Sequence, residues 1–239
     1  MSAFVARRAL DQLYISCAYQ NNTINVFGSD PGICSGFDGG THTCFEDLAI
    51  MRTIPHAIVC DPCDQVQLDW MVRECLSRND GAIHYIRAYR KNVTEVYEPG
   101  TKFELGKGKV LIPGDEVLLV GSGYLMGDAL TAAEELRAQG ISVEVVDPVT
   151  IKPFDEELIL NETKGKKLVV TYENHGTVNG IGSAVADVLA KNGAGVPLLK
   201  LGATEIFGQV GMVDLLKEAY KLTAKDAVAE ILKAWHKVI

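Results

Sequence analysis

The 239-residue sequence predicts an α/β protein of two tandem three-layer α/β/α units with mainly parallel sheets, the first unit incomplete. Three observations predict it. Short aliphatic runs alternate with longer segments of helical periodicity, the rhythm of a parallel sheet covered on both faces. Residues 91–115 break that rhythm with Pro, Gly and charge, and a second alternating series starts at 116. Finally, 47% of the residues are hydrophobic. That supports a sizeable core, and the length suits one large domain or two ordinary ones.

In the first unit, "FVARRALDQLYISCA" (4–18) places Phe4, Ala9, Leu10, Leu13 and Cys17 at helical spacing. "TINVFGSD" (23–30) reads as a short buried strand ending in a turn, and a glycine-rich loop follows. "CFEDLAIMRTI" (44–54) reads as a helix and "AIVCDP" (57–62) as a strand closed by Pro62. "DQVQLDWMVRECLSR" (64–78) is a helix with Asp64 as N-cap, and "GAIHYIRAY" (81–89) a strand. The division expected is 1–92 for the first unit, 93–115 for a linker without a helix, and 116–239 for the second.

In the second unit, "EVLLVGSG", "SVEVVDP", "KLVVTYEN" and "VPLLKLGA" read as strands. Between them, "LMGDALTAAEELRAQG", "FDEELILNET" and "IGSAVADVLAKNG" read as helices. "MVDLLKEAY" and "AKDAVAEILKAWHKV" close the chain as two more.

Net charge is −8, from 23 basic and 31 acidic residues. That argues against a nucleic-acid or anionic-membrane surface. No run of 18 apolar residues and no secretory pattern occur, so no membrane span and a cytoplasmic location are expected. Six cysteines in a chain this long are not a disulfide framework; reduced thiols are expected.

Ligands of open parallel sheets bind beyond the carboxyl ends of the strands. The loop "SDPGICSGFDGGTH" leaves such an end. Gly36, Gly39 and Gly40 allow close backbone approach or positive φ, while Asp38 and His42 supply a carboxylate and a group that titrates near neutrality. The competing reading is a surface turn whose Asp and His cap the helix near residue 44. Three further motifs invite function. "VGSGYLMGDAL" with Asp147 about 20 residues on has the dinucleotide-binding layout, but its glycines run G-x-G-x-x-x-G, one residue too many. "CDPC" (60–63) has redox or half-zinc spacing without a second pair. In "YENHG" (172–176), Glu173 and His175 suit either an acid/base pair or an interface loop.

"FVARRALDQL", "SDPGICSGFDGGTHTCFEDLAIMRTIP" and "YIRAYR", in this order and spacing, resemble the pyrimidine-binding domain of the transketolase family. "VLLVGSGYLMGDALTAAEELRAQGISVEVVDPVTIKPFDEELI" resembles that family's C-terminal domain. The layout is similar to the separate C-terminal subunit of split bacterial transketolases. The resemblance implies thiamine diphosphate as cofactor and transfer of a two-carbon ketol unit between sugar phosphates, as in the pentose phosphate pathway. It implies Asp38 and His42 as the catalytic, substrate-facing pair. Arg90 would hold the sugar phosphate, with Arg87 as a near competitor. Ser29 would stand on the substrate side, where many transketolases carry a histidine. Phe4 would pack against the aminopyrimidine ring, with Arg7 beside it on the cofactor side.

Two family features are missing. The glutamate that hydrogen-bonds the pyrimidine ring has no match, since the first acidic residue is Asp11 and the first Glu is Glu46. The Gly-Asp-Gly…Asn pattern for Mg²⁺ and diphosphate is also absent. The resemblance is therefore to a truncated pyrimidine domain joined to a C-terminal domain. It implies a partner subunit that holds Mg²⁺ and shares the cofactor, assembly as a homodimer through both domains, and no activity alone. The 1-deoxyxylulose-5-phosphate synthases and 2-oxo acid dehydrogenase β subunits share the domain pair and are the alternative reactions. A non-catalytic assembly or nucleotide-binding module is the third reading.

Overall fold

The computed structural model describes residues 1–239. The chain opens with two helical turns, Phe4–Arg8 and Gln12–Ala18. Their winding is wider than the expected α-helix. The Ala9 amide donates to the Phe4 carbonyl at 3.2 Å and Tyr19 to Tyr14 at 2.9 Å, each five residues back. The first unit continues with β1 (Ile24–Ser29), α1 (Asp47–Thr53), β2 (Ile58–Cys60), α2 (Gln65–Ser77) and β3 (Ile83–Ala88). Next come β4 (Lys109–Ile112), β5 (Val117–Gly121), α3 (Met126–Ala138), β6 (Val143–Asp147) and β7 (Thr150–Lys152). The chain ends with α4 (Glu156–Thr163), β8 (Leu168–Gly176), α5 (Ile181–Lys191), β9 (Leu198–Ala203), α6 (Val213–Ala219) and α7 (Ala224–Val238). No helix is long and apolar enough to cross a membrane.

Two sheets form, ordered β1-β3-β2-β7 and β4-β6-β5-β8-β9. All pairs are parallel except β7 on β2 and β4 on β6. Every residue of β5 and β6 is buried, as expected of central strands covered on both faces. Helix α7 shows the complementary pattern: Ala227, Val228, Ile231 and Trp235 are buried along one stripe, and Thr223 caps its start. Two of the strands are unannounced in the sequence. β4 lies within the stretch read as linker. β7 leaves the second unit and pairs antiparallel with β2, Val59 opposite Lys152. Its Lys152 ammonium donates to the carbonyls of Arg52 and Ile54 at 2.9 and 2.5 Å, closing the end of α1.

The units share their cores. One apolar cluster joins Ile33, Cys34 and Phe45 to Leu119, Val145 and Trp235. A second joins Leu48, Met51 and Val59 to Leu118, Val146 and Ile181. Between the clusters lies a polar seam. The fully buried Arg87 guanidinium donates to both Asp47 oxygens at 2.6 and 2.8 Å, to Asp61 at 3.3 Å, and to the Asn174 carbonyl at 3.3 Å. The Tyr85 hydroxyl donates to Asp47 at 2.6 Å and Ser122 to Asp61 at 2.7 Å, with the Tyr89 hydroxyl also on Asp61. Burial alone would raise the Asp47 carboxyl, but the Arg87 guanidinium prevails and holds it below the ordinary range.

The glycines of "VGSGYLMG" serve this packing. A Cβ on Gly123, at φ +57°, would strike the Asp61 carboxylate, and one on Gly127 would strike Thr94. The turn is therefore filled by the chain itself, which removes the support for a dinucleotide there. Asp147 is likewise committed. It is fully buried and accepts from Gln67 Nε2 and the Tyr97 hydroxyl, both at 2.6 Å, and from the Val149 amide at 2.8 Å. Asp64 caps α2 as expected and also accepts from the amides of Val96 and Tyr97 at 3.0 and 2.7 Å. Cys60 and Cys63 are buried free thiols.

Two predictions follow from the seam. Asp47→Ala takes away the two-pronged partner of Arg87, leaving its buried charge to Asp61 alone, and costs about 3–5 kcal/mol, read as a lowered urea midpoint. The second concerns Asp147, whose carboxyl burial pushes from an ordinary 3.8 up to about 6. Between those values the folded chain keeps a proton that the unfolded chain has released. Stability therefore declines as pH rises through that window, by up to about 3 kcal/mol. Asp147→Asn flattens most of that slope in denaturation curves taken from pH 4 to 6.5. Glu173, also raised by burial, contributes part of what remains.

Candidate active site

The loop after β1 runs as tight turns from Gly32 to Thr41, interrupted at Ser35 and at Gly39, where φ is +68°. Its first residues are tied to the second unit. Asn174, at the end of β8, accepts from the Ile33 amide and donates to the Pro31 carbonyl, both at 3.0 Å. Its far end folds back on itself, with the Thr43 amide and hydroxyl both on the Gly39 carbonyl at 2.9 Å. The glycines are explained by close approach. A Cβ on Gly36 would lie 2.7 Å from the Gly211 carbonyl, one on Gly39 2.8 Å from Val210, and one on Gly40 3.0 Å from the Gly208 carbonyl. The neighbour that requires them is the chain's own segment before α6.

Asp38 is exposed, and its carboxylate makes no hydrogen bond within the chain. His42 is half-buried. Its Nδ1 lies 2.8 Å from Thr41 Oγ1, and its ring meets Phe4 edge-on at 4.8 Å and 73°. Neither residue caps α1, whose first residue is Asp47 and whose start has no side-chain cap. The capping alternative therefore fails, and both groups stay available.

The N-terminal turns supply the surroundings. The Arg8 guanidinium lies over the Phe4 ring at 4.4 Å. Arg7 pairs with Glu46 and donates to the carbonyls of Thr43 at 2.9 Å and Gly40 at 3.4 Å. The hydrogen bond that Arg7 donates to the Glu46 carboxylate raises the Arg7 pKa further. All three Arg7 nitrogens are thus occupied in bracing the glycine loop.

Ser29 ends β1 opposite Ala88 of β3. Next to it Asp30, at φ +48° and buried, accepts from the Arg90 amide at 3.0 Å and pairs with the Arg90 guanidinium. The Arg90 side chain is nonetheless 71% exposed, whereas that of Arg87 is wholly buried. The two candidates for anion binding are thereby separated: Arg87 belongs to the seam and Arg90 to the surface.

Phe4, Arg7, Arg8 and His42 form one cluster. Asp38 shares their loop, and Ser29 and Arg90 sit on the adjoining strand ends. The pair in "YENHG" is structural. Glu173 accepts from the amides of Ile181 and Gly182 at 2.7 and 3.0 Å, capping α5. His175 accepts from the Ala49 amide through Nε2 at 3.3 Å, and Nδ1 donates to the Gly176 carbonyl at 2.7 Å. Two clefts of about 580 and 510 Å³ flank linker residues such as Glu95, and neither is lined by Asp38 or His42. The pair stands on one open wall. No group of three or more His, Cys, Asp or Glu side chains is arranged to hold a metal ion.

Sequence reasoning missed Asp30, Asn174 and the 208–211 segment. Asp30 carried a signal, a carboxylate at a strand end before Pro31. The others carried none, because their roles arise only when the units meet.

Comparison with known proteins agrees with this architecture. Residues 1–95 match the transketolase pyrimidine binding domain and residues 106–227 the transketolase C-terminal domain. The chain is 42% identical over 237 residues to the 6-deoxy-6-sulfo-D-fructose transketolase subunit SqwH of Clostridium sp. (strain MSTE9), covering 99% of this chain and 71% of that one. A solved split-gene transketolase, in an inactive β4 tetramer, superposes with a TM-score of 0.89 at 35% identity, over 100% of this chain and 75% of that one. The transketolase of Campylobacter jejuni shares the fold, with a TM-score of 0.77 at 20% identity over 98% of this chain and 34% of its own. Both domain types are present in order and nearly the whole chain aligns with these relatives, so the chain belongs to the transketolase family.

Proposed function

We propose that this chain is the pyrimidine-side component of a split transketolase that moves a two-carbon ketol unit between sugars bearing a terminal anion. Family membership implies dependence on thiamine diphosphate. When bound, that cofactor supplies the carbon nucleophile to which the two-carbon unit is transferred. The observation that carries the reading is the pair Asp38 and His42, accessible on a braced loop beside an aromatic ring. Hydroxyls of a sugar need an acceptor and a group able to give and take a proton, and this pair offers both. Phe4 provides an apolar wall for a flat heterocycle. Arg7 keeps the loop in place, and Arg90 presents two free guanidinium nitrogens to an anion.

Other parts must come from elsewhere. Glu46, the first glutamate, is committed to Arg7, so the reading assigns the ring-activating carboxylate to residues outside these 239. It assigns the diphosphate and its Mg²⁺ to a partner subunit, because this chain lacks a suitable donor set. The split-gene relative, inactive as a β4 tetramer, supports a chain that self-associates and is inactive alone.

Sugar phosphates are the expected substrates. The relative named for 6-deoxy-6-sulfo-D-fructose favours a second reading, a terminal sulfonate. The Asp30 carboxylate already offsets part of the Arg90 charge, which suits a monoanion better than a phosphate dianion.

The test is reconstitution with the diphosphate-binding partner, Mg²⁺ and thiamine diphosphate, offering fructose 6-phosphate and its 6-deoxy-6-sulfo analogue in parallel. His42→Ala and Asp38→Asn are each expected to lower kcat/KM by about a hundredfold. Arg90→Leu raises KM for the anionic donor roughly tenfold to a hundredfold and leaves the uncharged ketose erythrulose little affected. Steady turnover by the purified chain without its partner sinks the reading.

A further inference from the structure

The geometry points to residues 205–212 of the second unit as a brace that fixes the loop carrying Asp38 and His42, with Tyr220 as the positioning residue that holds the brace. The inference rests on the proposed role of that loop.

The segment runs between the end of β9 and the start of α6 and meets the loop repeatedly. The Gly211 amide donates to the Gly36 carbonyl at 2.9 Å. Val210 lies against Gly39, and the Gly208 carbonyl against Gly40. A side chain on Gly208 would in turn collide with Thr43. Glycine thus faces glycine at Gly36 with Gly211 and at Gly40 with Gly208, and a Cβ on Gly36 or Gly208 would clash across the contact.

Little else holds the segment. Phe207 is 92% exposed and Val210 74%, so the outer side has no apolar anchor. The inner anchor is Tyr220. Its hydroxyl accepts from the Gln209 amide at 2.6 Å and donates to the Phe207 carbonyl at 3.4 Å. Its ring meets Phe45, just beyond the loop, edge-on at 5.6 Å. Leu216 is buried beneath Gly36 and Gly211. Tyr220 thus touches the segment with its oxygen and the loop's exit with its ring. The second unit, which holds neither Asp38 nor His42, would in this way set where both stand. A displacement of about 1 Å of such groups costs on the order of a hundredfold in rate.

Tyr220→Phe removes the two hydrogen bonds and keeps the ring. On the purified chain, amide exchange across residues 36–43 is expected to accelerate roughly tenfold. The His42 ring protons, shifted by the Phe4 edge contact, should move toward exposed-histidine values. Exchange in the central strands β5 and β8 stays unchanged. In the assembled enzyme, kcat/KM for the ketose falls about tenfold while thiamine diphosphate affinity stays within about twofold. Should Y220F fail to fold, Val210→Ala, which removes only the methyls on Gly39, must give the same loop signature. An unchanged loop and an unmoved His42 signal overturn the brace, as does acceleration spread evenly through the core. A loosened loop with unaltered turnover upholds the brace and counts instead against the assignment of Asp38 and His42.

Discussion

A single guanidinium in the seam between the two units, that of Arg87, fixes how they meet. Taking such a charge out of water is expensive unless it is paired and its remaining donors are satisfied. Arg87 meets both conditions by drawing on several elements. Asp47 opens α1, Asp61 follows β2, and the carbonyl of Asn174 belongs to β8. Ser122, beyond β5, joins through Asp61. These groups lie at the carboxyl ends of strands from both sheets or at the start of a helix. Satisfying one charge therefore brings the strand ends of both units together. The apolar clusters above and below supply most of the free energy, but they are tolerant of small slips. The fork of Arg87 on Asp47 orients the guanidinium within the first unit, and its bond to the Asn174 carbonyl, with that of Ser122 to Asp61, sets the register of the contact with the second.

The position of the candidate site follows from that register. Asn174 is held by its carbonyl in the seam, and its side chain faces the other way to grip Pro31 and Ile33 at the base of the glycine loop. The same residue therefore ties the buried charge to the start of the candidate active-site segment. At the other end of the loop, Arg7 and the segment before α6 perform the equivalent task. The backbone between these ties has glycine at three contact points because another backbone passes there. A sequence that looks loose is thus held from both sides. Glycine permits a loose path or a fixed one, depending on what surrounds it.

This explains what the sequence disclosed and what it hid. Periodicity located the strands and helices well, because each hydrophobic stripe is a local record of burial, as in α7 and β6. Asp64 was legible as an N-cap for the same reason: the cap and its target amide are three residues apart. β7 was not legible. Its three residues carry no strand pattern of their own, and its pairing partner lies nearly a hundred positions earlier. β4 was masked by the Pro, Gly and charge around it. Arg87 and Arg90 were indistinguishable as letters, although they point to opposite faces of one strand end, into the seam and into solvent. Asp147 matched the spacing of a ribose acceptor, yet it is wholly buried and holds three donors of the chain itself, so no ribose reaches it. The glycine loop drew attention for a sound reason, close approach, but the approaching partner was within the chain.

Arg90 shows how the same constraint can act on specificity. Asp30 sits buried at positive φ, a conformation Asp tolerates better than most residues. One of its oxygens takes the Arg90 amide and the other pairs with the guanidinium. The base of the arginine is therefore oriented from below, and its two terminal nitrogens project outward without paying for that orientation when an anion arrives. The buried carboxylate also lowers the net positive potential that the anion meets. Orientation favours tight, directional binding, while partial neutralisation weakens the pull on a second negative charge. A site built this way discriminates by charge number more than by shape, since the planar fork accepts phosphate and sulfonate oxygens alike. On the proposed function, the character of the anion end of the substrate would fall to Arg90 and the carboxylate beneath it.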